Sequence, residues 1–166
     1  MTKRRNKKSQ PSRPQRKKFK PKTDNQSDYI VGMSENDITF CSGPAGSGKT
    51  AVAVEEIKLY LGRETYNSAR SVNAIEMCPL EYMRGRNFHS SFMILDEAQN
   101  ATYEQIKMFL TRIGMGSKAV INGDVSQTDL QGCDGGLDLC MDRLEDVDGV
   151  CVCELTPSDI VRNGII

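Results

Sequence analysis

The chain of 166 residues has room for one ordinary domain and a terminal segment, because domains most often have about 100–150 residues. Its 38% of hydrophobic residues suffices for a packed core, and no stretch approaches the roughly 18 consecutive apolar residues typical of a membrane-spanning helix. The first residues also lack the apolar run of a secretion signal, so we expect a cytoplasmic protein with no membrane partner.

The net charge of zero is the sum of two oppositely charged parts. Residues 1–22 carry 11 of the 22 basic residues and no acid, so the rest of the chain has 11 bases against 22 acids. Apart from Phe19, the basic part has almost no large apolar side chain, so it has too little apolar surface to offset its ordering entropy. We predict a disordered basic arm over residues 1–23 and one folded domain over residues 24–166.

The arm is suited to contact nucleic acid. Each Lys or Arg that neutralises a phosphate releases a condensed counterion, so a dense basic segment favours polyphosphate surfaces. We predict RNA or single-stranded DNA as the partner, and a solvated tail without a partner is the alternative.

From residue 37 onwards, short apolar runs alternate with helical patterns, which is typical of a parallel sheet flanked by helices. Between the first helix and the second strand lies a polar stretch, residues 63–71. The predicted strands are 38–41, 73–78, 92–95, 118–122 and 150–154, and the predicted helices are 50–61, 79–84, about 102–113 and 137–144.

A glycine-rich segment joins the first predicted strand to the first predicted helix. It matches every fixed position of the G-x-x-x-x-G-K-S/T motif, in the strand-to-helix context that the motif requires. Backbone N–H groups and Lys49 would hold the phosphates of ATP, and the Thr50 hydroxyl would ligate Mg²⁺. We name this predicted phosphate-binding loop (Walker A) the P-loop; it comprises Gly43, Pro44, Ala45, Gly46, Ser47, Gly48, Lys49 and Thr50.

Two acids follow the buried strand at residues 92–95. In open α/β sheets the carboxyl ends of the strands face the ligand, so Asp96 and Glu97 are predicted to lie beside the P-loop as a Walker B element. Asp96 would hold Mg²⁺, and Glu97 would orient or deprotonate the water that attacks the γ-phosphate. The alternative is an acidic first turn of a helix.

A third polar element follows the strand at residues 118–122. Its sequence is G-D-V-S-Q, ending at Gln127. A side chain on the strand beside the acid-bearing strand can reach the γ-phosphate or the attacking water, so we predict that Gln127 senses that phosphate. The predicted fold is therefore α/β, a P-loop nucleoside triphosphatase with a RecA-like parallel sheet.

These elements, with D-E-A-Q-N at 96–100 and P-L-E-Y-M-R-G-R at 79–86, resemble the PhoH family of ATPases. That family is similar to the first motor domain of superfamily 1 helicases. The resemblance covers about residues 26–162 and implies that Gln26 contacts adenine and that residues 158–162 are similar to the closing S-R-D-V-V-R segment of the family. Without the resemblance, the motifs do not indicate whether the protein prefers adenine or guanine nucleotides.

The chain departs from this family between the P-loop helix and the acidic box. Family members carry a longer region there, with an R-P-x-x-x-G-E motif, where this chain has only the polar stretch at residues 63–71. At least one strand-helix unit is therefore expected to be missing.

Hydrolysis of this type also requires an arginine that neutralises the charge on the transferring phosphoryl group. Because one motor domain has no second domain to supply it, we expect a homo-oligomer in which a neighbouring subunit provides Arg162 or Arg84. Surface ion pairs are the alternative role for each arginine.

Two functions follow from these residues. The first is an Mg²⁺-dependent ATPase coupled to RNA or single-stranded DNA, with Lys49, Glu97, Gln127 and Arg162 in the catalytic set. The second is a nucleic-acid-binding module that ATP occupancy switches, with little or no turnover.

Overall fold

A computed structural model describes the protein over residues 20–71, 74–127 and 135–161. Most of the predicted basic arm, residues 1–19, lies outside the described residues, and so does Arg162.

The centre of the fold is a sheet of four strands, all parallel, in the order β2-β3-β1-β4. This confirms the predicted α/β class and the predicted adjacency of the acid-bearing strand and the strand that precedes Gln127. The strands are β1 Ile38–Ser42, β2 Phe92–Leu95, β3 Lys118–Gly123 and β4 Val150–Glu154.

Helices cover both faces of this sheet, because successive strand residues point to opposite faces. On one face of the sheet, Cys41 and Val120 pack against Tyr29 and Val52, which belong to two different helices. On the other face, Phe40 and other buried strand residues pack against a second pair of helices. The first pair of helices is α1 Asp24–Glu35 and α2 Lys49–Tyr60, the second pair is α4 Tyr103–Leu110 and α5 Gly136–Leu144, and α3 Arg63–Ser71 follows α2.

Helix α1 is absent from the sequence prediction. Its sequence is mostly polar and buries only a narrow set of residues, chiefly Tyr29 and Met33, so no strong apolar period marks it. Its ends are fixed by other means. The Thr23 side chain accepts from the Gln26 N–H at the start, and the Lys118 ammonium donates to the carbonyls of Met33, Ser34 and Asn36 at the end.

The region between α2 and β2 differs from its prediction in two places. The polar stretch forms α3, and residues 74–78 of the predicted strand 73–78 are not in a strand, while Asn73 lies outside the described residues. Residues 74–78 therefore add no strand to the described sheet, in which β2, the edge strand nearest in sequence, pairs only with β3. The apolar side chains of Ile75 and Met77 are accordingly exposed.

The remaining elements follow their predictions with small shifts. Thr102 caps α4 through a capping box with Gln105, and the helix ends at Leu110 because Ile113 instead bridges to Phe88. Among the described residues, no helix combines the length and apolar character needed to cross a membrane.

The three hydrogen bonds from Lys118 predict a measurable contribution to stability. In Lys118→Met the stem still packs, but three carbonyls at the end of α1 lose a charged donor, so the free energy of unfolding should fall by about 1–3 kcal/mol in urea denaturation. Lys107→Met is the control, because its ammonium lies 3.9 Å from Glu104 on the exposed face of α4. Equal losses for the two variants would contradict the capping role.

Candidate nucleotide-binding site

The P-loop begins where β1 leaves the sheet between its two neighbours. The Gly43 N–H donates to the Gly123 carbonyl at 3.1 Å, and the Ser42 carbonyl accepts from the Leu155 N–H at 2.7 Å. A Cβ atom on Gly43 would lie 2.6 Å from the Leu155 carbonyl oxygen, so only glycine allows this approach. The start of the loop is therefore fixed to the ends of β3 and β4.

Two further glycines in the P-loop have left-handed backbone conformations. Gly46 has φ +85° and Gly48 has φ +89°, and Gly48 is the N-cap residue of α2. The Ser47 hydroxyl donates to the Pro44 carbonyl at 2.8 Å, which closes the turn between them. The first N–H groups of α2 have no partner inside the helix, so this end of α2 is suited to bind an anion.

Lys49 and Thr50 form the first turn of α2. The Lys49 ammonium donates to the carbonyls of Gly43 and Pro44, which holds its positive charge along the P-loop. The Thr50 hydroxyl donates to a carboxylate oxygen of Asp96 at 2.8 Å. A hydroxyl and a carboxylate at this separation are the hard oxygen donors that Mg²⁺ prefers, so these two residues fit the ion.

An open cleft of about 240 Å³ lies above the P-loop, and it brings together most of the predicted site residues. Gly43, Pro44 and Ser47 of the P-loop are not among its lining residues. The cleft is lined by Ala45, Gly46, Gly48, Lys49, Thr50, Ala51, Asp96, Glu97, Gln99, Gly123, Asp124 and Gln127.

Glu97 is held by a residue that the sequence analysis does not single out. The Glu97 backbone is left-handed, at φ +55°, which is unusual for a residue with a side chain. This conformation turns the chain sharply after β2. The Gln99 amide donates to the Glu97 carboxylate at 2.6 Å, and its carbonyl oxygen accepts from the Asp124 N–H at 3.1 Å. Gln99 thus connects the acidic box to the loop after β3. The only signal in the sequence is its place in the D-E-A-Q box.

The loop after β3 presents Asp124 and Gln127 to the cleft. The Asp124 side chain is buried, and one of its oxygens accepts from the backbone N–H and the hydroxyl of Ser126. Its other oxygen is buried and has no hydrogen-bond partner among the described residues. Gln127 is exposed at the mouth of the cleft, and its N–H donates to the Asp124 carbonyl at 2.9 Å.

Gln26 does not line the cleft. Its side chain is buried behind the P-loop, where its amide donates to the Ser47 carbonyl at 3.0 Å and its oxygen accepts from the Lys22 N–H at 2.9 Å. Contact with adenine stays a prediction from the resemblance.

The two ends of the described chain meet beside Gln26. Asp159 is 1% exposed and accepts hydrogen bonds from the Asn25 amide and from the backbone N–H and hydroxyl of Thr156. Burial tends to raise the pKa of this carboxyl, but hydrogen bonds from Thr23, Asn25 and Thr156 outweigh it and lower the pKa to about 2. We name residues 23–25 and 156–159 the clasp.

The three arginines Arg84, Arg86 and Arg112 do not line the cleft in the described part of the chain. Arg84 lies beside a second cavity of about 260 Å³ between residues 80–84 and α4. Arg86 forms two hydrogen bonds of 2.7 Å to Glu76, and Arg112 donates to the Arg86 carbonyl.

The model of the family described as PhoH-like protein matches residues 18–58 and 54–166. The chain belongs to the PhoH family. This family is in general one of ATP-binding proteins and ATPases.

Relatives of this PhoH family member come from several bacteria. It is 38% identical to the PhoH-like protein of Mycobacterium tuberculosis (strain ATCC 25618 / H37Rv), over 90% of this chain and 56% of that protein. It is 36% identical to the PhoH-like protein of Bacillus subtilis (strain 168), over 90% of this chain and 62% of that protein. Protein PhoH of Escherichia coli (strain K12) is 41% identical over 57% of this chain and 27% of its own length. The chain thus spans less than two thirds of these relatives.

The relatives are also longer than this chain within the aligned region. The alignments with the Mycobacterium tuberculosis and Bacillus subtilis proteins extend over 199 positions, although the chain has only 166 residues. These relatives therefore carry residues that have no counterpart here. The two parts of this chain that match the family model share residues 54–58, which lie within α2. The two matched parts thus meet in the second half of α2, where the side chains of Leu59, Tyr60 and the following Leu61 are exposed.

The low pKa of Asp159 predicts how the clasp responds to acid. Because that pKa lies below the ordinary value of 3.8, the carboxylate stabilises the fold above pH 3.8, and this contribution is lost as the pH falls towards 2. The difference in the free energy of unfolding between the native protein and Asp159→Asn should therefore be constant above about pH 5 and shrink towards pH 2.

Chemical denaturation across this pH range measures that difference. Asp142→Asn removes an exposed carboxylate of α5 and is the control, with a small difference at every pH. If the difference in the free energy of unfolding for Asp159→Asn does not vary with pH, the charge of the carboxylate does not stabilise the clasp.

Proposed function

We propose that the protein hydrolyses ATP in the P-loop cleft with Mg²⁺, as a cytoplasmic ATPase coupled to RNA or single-stranded DNA. The observation that carries this proposal is the 2.8 Å hydrogen bond between Thr50 and Asp96, beside Lys49 and Glu97. Residues that are 46 or more positions apart in the chain thus converge on one cleft with the donors and acceptors that phosphoryl transfer needs.

The P-loop supplies the binding of the triphosphate. The N–H groups at the start of α2, which have no partner inside the helix, would bind phosphate oxygens, and the Lys49 ammonium would exchange its loop carbonyls for the β- and γ-phosphates. The exchange costs little, because the ammonium keeps a full set of oxygen partners.

Thr50 and Asp96 would hold Mg²⁺ through their hydroxyl and carboxylate oxygens. When bound, this ion neutralises charge on the β- and γ-phosphate oxygens.

Glu97 orients the attacking water and accepts its proton. Its carboxylate is held by Gln99, so one oxygen is fixed and the other is free to bind water. Gln127 lies on the far side of the cleft and would sense the γ-phosphate, while the unpartnered oxygen of Asp124 can accept from a water at the same place. Because Gln99 also holds the Asp124 N–H, a change at either group is transmitted to the other.

Two parts of the proposal come from outside the cleft. The arginine for charge neutralisation would be Arg162, or a residue such as Arg84 from a second copy, because the arginines discussed above are directed elsewhere. The basic segment at residues 1–22 would bind the RNA or single-stranded DNA by its 11 positive charges.

Steady-state ATP hydrolysis by the purified protein tests the proposal, with and without single-stranded RNA. Lys49→Ala should lose ATP binding, and Glu97→Gln should keep binding but lose turnover by about 100-fold or more, because it removes the base. Turnover that both changes abolish, and that RNA increases, is the expected result. Absence of turnover with ATP binding that depends on Lys49 would instead favour the nucleotide-switched binding module.

Gln99 should control turnover without controlling affinity. Gln99→Met keeps the length of the side chain but frees the Glu97 carboxylate, so kcat should fall by about 10- to 100-fold while the dissociation constant for ATP stays nearly unchanged. Gln105→Met, which alters the cap of α4, is the matched control and should leave both constants unchanged. A loss of affinity equal to the loss of kcat would contradict this role.

A further inference from the structure

Gln26 is the one predicted nucleotide contact that the fold buries behind the P-loop. Its side chain is 4% exposed, and both ends of its amide are engaged. The oxygen accepts from the Lys22 N–H, and the nitrogen donates to the Ser47 carbonyl at 3.0 Å. Only one orientation of the amide satisfies both partners, because one of them is a donor and the other an acceptor.

The Ser47 carbonyl belongs to the peptide group that also contains the Gly48 N–H. In a planar trans peptide the C=O and N–H bonds point in opposite directions. Gln26 holds the C=O bond towards α1, on the side away from the cleft. The Gly48 N–H is therefore directed to the opposite side, where the P-loop lines the cleft.

This peptide group needs an external restraint. Glycine populates positive and negative φ with similar ease, so Gly48, at φ +89°, has no side chain to keep the peptide from rotating. The Ser47 hydroxyl and N–H both engage the Pro44 carbonyl, so they restrain the preceding turn and not this carbonyl. A Cβ atom added to Gly48 would lie 3.5 Å from the Gln26 amide nitrogen, so the amide lies close to Gly48.

We propose that Gln26 is a positioning residue for the P-loop, which fixes the Ser47–Gly48 peptide so that the Gly48 N–H faces the triphosphate. This inference rests on the proposed function, since it assigns the loop a phosphate ligand. It differs from an adenine contact in its consequence. A positioning glutamine affects every triphosphate equally, whatever its base, whereas a base contact affects ATP alone.

The test compares three ligands with Mg²⁺ by isothermal titration: ATP, GTP and inorganic tripolyphosphate, which has no base. Gln26→Met keeps the length of the side chain and removes the amide donor. The dissociation constants of all three ligands should rise by the same factor, about three- to tenfold, the worth of one hydrogen bond. Gln105→Met removes a glutamine contact to a backbone N–H at α4 and should change none of them.

Three outcomes would overturn the proposal. The first is a loss confined to ATP with tripolyphosphate binding intact, which would assign Gln26 to the base. The second is unchanged affinity for all three ligands. If the native protein binds none of the ligands, the proposed function itself fails, and the positioning role fails with it.

Hydrogen exchange separates this role from a general loss of stability. In the nucleotide-free protein, the amides of residues 46–50 should exchange faster in Gln26→Met than in the native protein, while those of β1 and β3 should be unchanged. Faster exchange throughout the sheet would mean that the side chain only stabilises the fold, which would also overturn the proposal.

Discussion

The double pairing of β1 is the constraint on which the rest of the structure depends. Each of its five residues has a register partner in β3 on one side and in β4 on the other. Because both neighbours run parallel to it, the loops that follow all three strands emerge at the same edge. The hydrogen bonds of Ser42 and Gly43 to Leu155 and Gly123 also fix the first residue of the P-loop, so the loop starts from a fixed point. A hydrogen-bonded cradle for phosphate can be formed only from such a fixed start.

The cleft is completed by contacts between segments that are distant in the chain. Gln99 joins the turn after β2 to the turn after β3, and Gln26 joins the start of α1 to the P-loop. The clasp in turn holds the start of α1 against the segment after β4 through the Asp159 carboxylate. Each contact involves one buried polar side chain, Gln99, Gln26 or Asp159, which is costly to leave unpaired, so together they favour one arrangement of the site.

Sequence patterns predict those parts of the protein in which the local backbone structure requires a particular type of residue. Gly48 is needed for a left-handed N-cap, and a short apolar run that ends in two acids is typical of a strand that leads to a polar edge. Helix α1 escaped prediction because its stability depends on Thr23, on Lys118 and on the packing of Tyr29. Gln26 and Gln99 also have partners that are remote in sequence, in the P-loop and after β3, so no local pattern reveals their contacts.

The chain keeps the cleft although its aligned region is shorter than that of its relatives. Residues of the P-loop and the acidic box line this cleft, so a nucleotide should still bind. The most direct measurement is calorimetric titration of the native protein with a non-hydrolysable ATP analogue, with and without Mg²⁺. Binding of one nucleotide per chain that weakens when Mg²⁺ is removed is the predicted result. A folded protein that takes up no analogue at millimolar concentration would contradict the account.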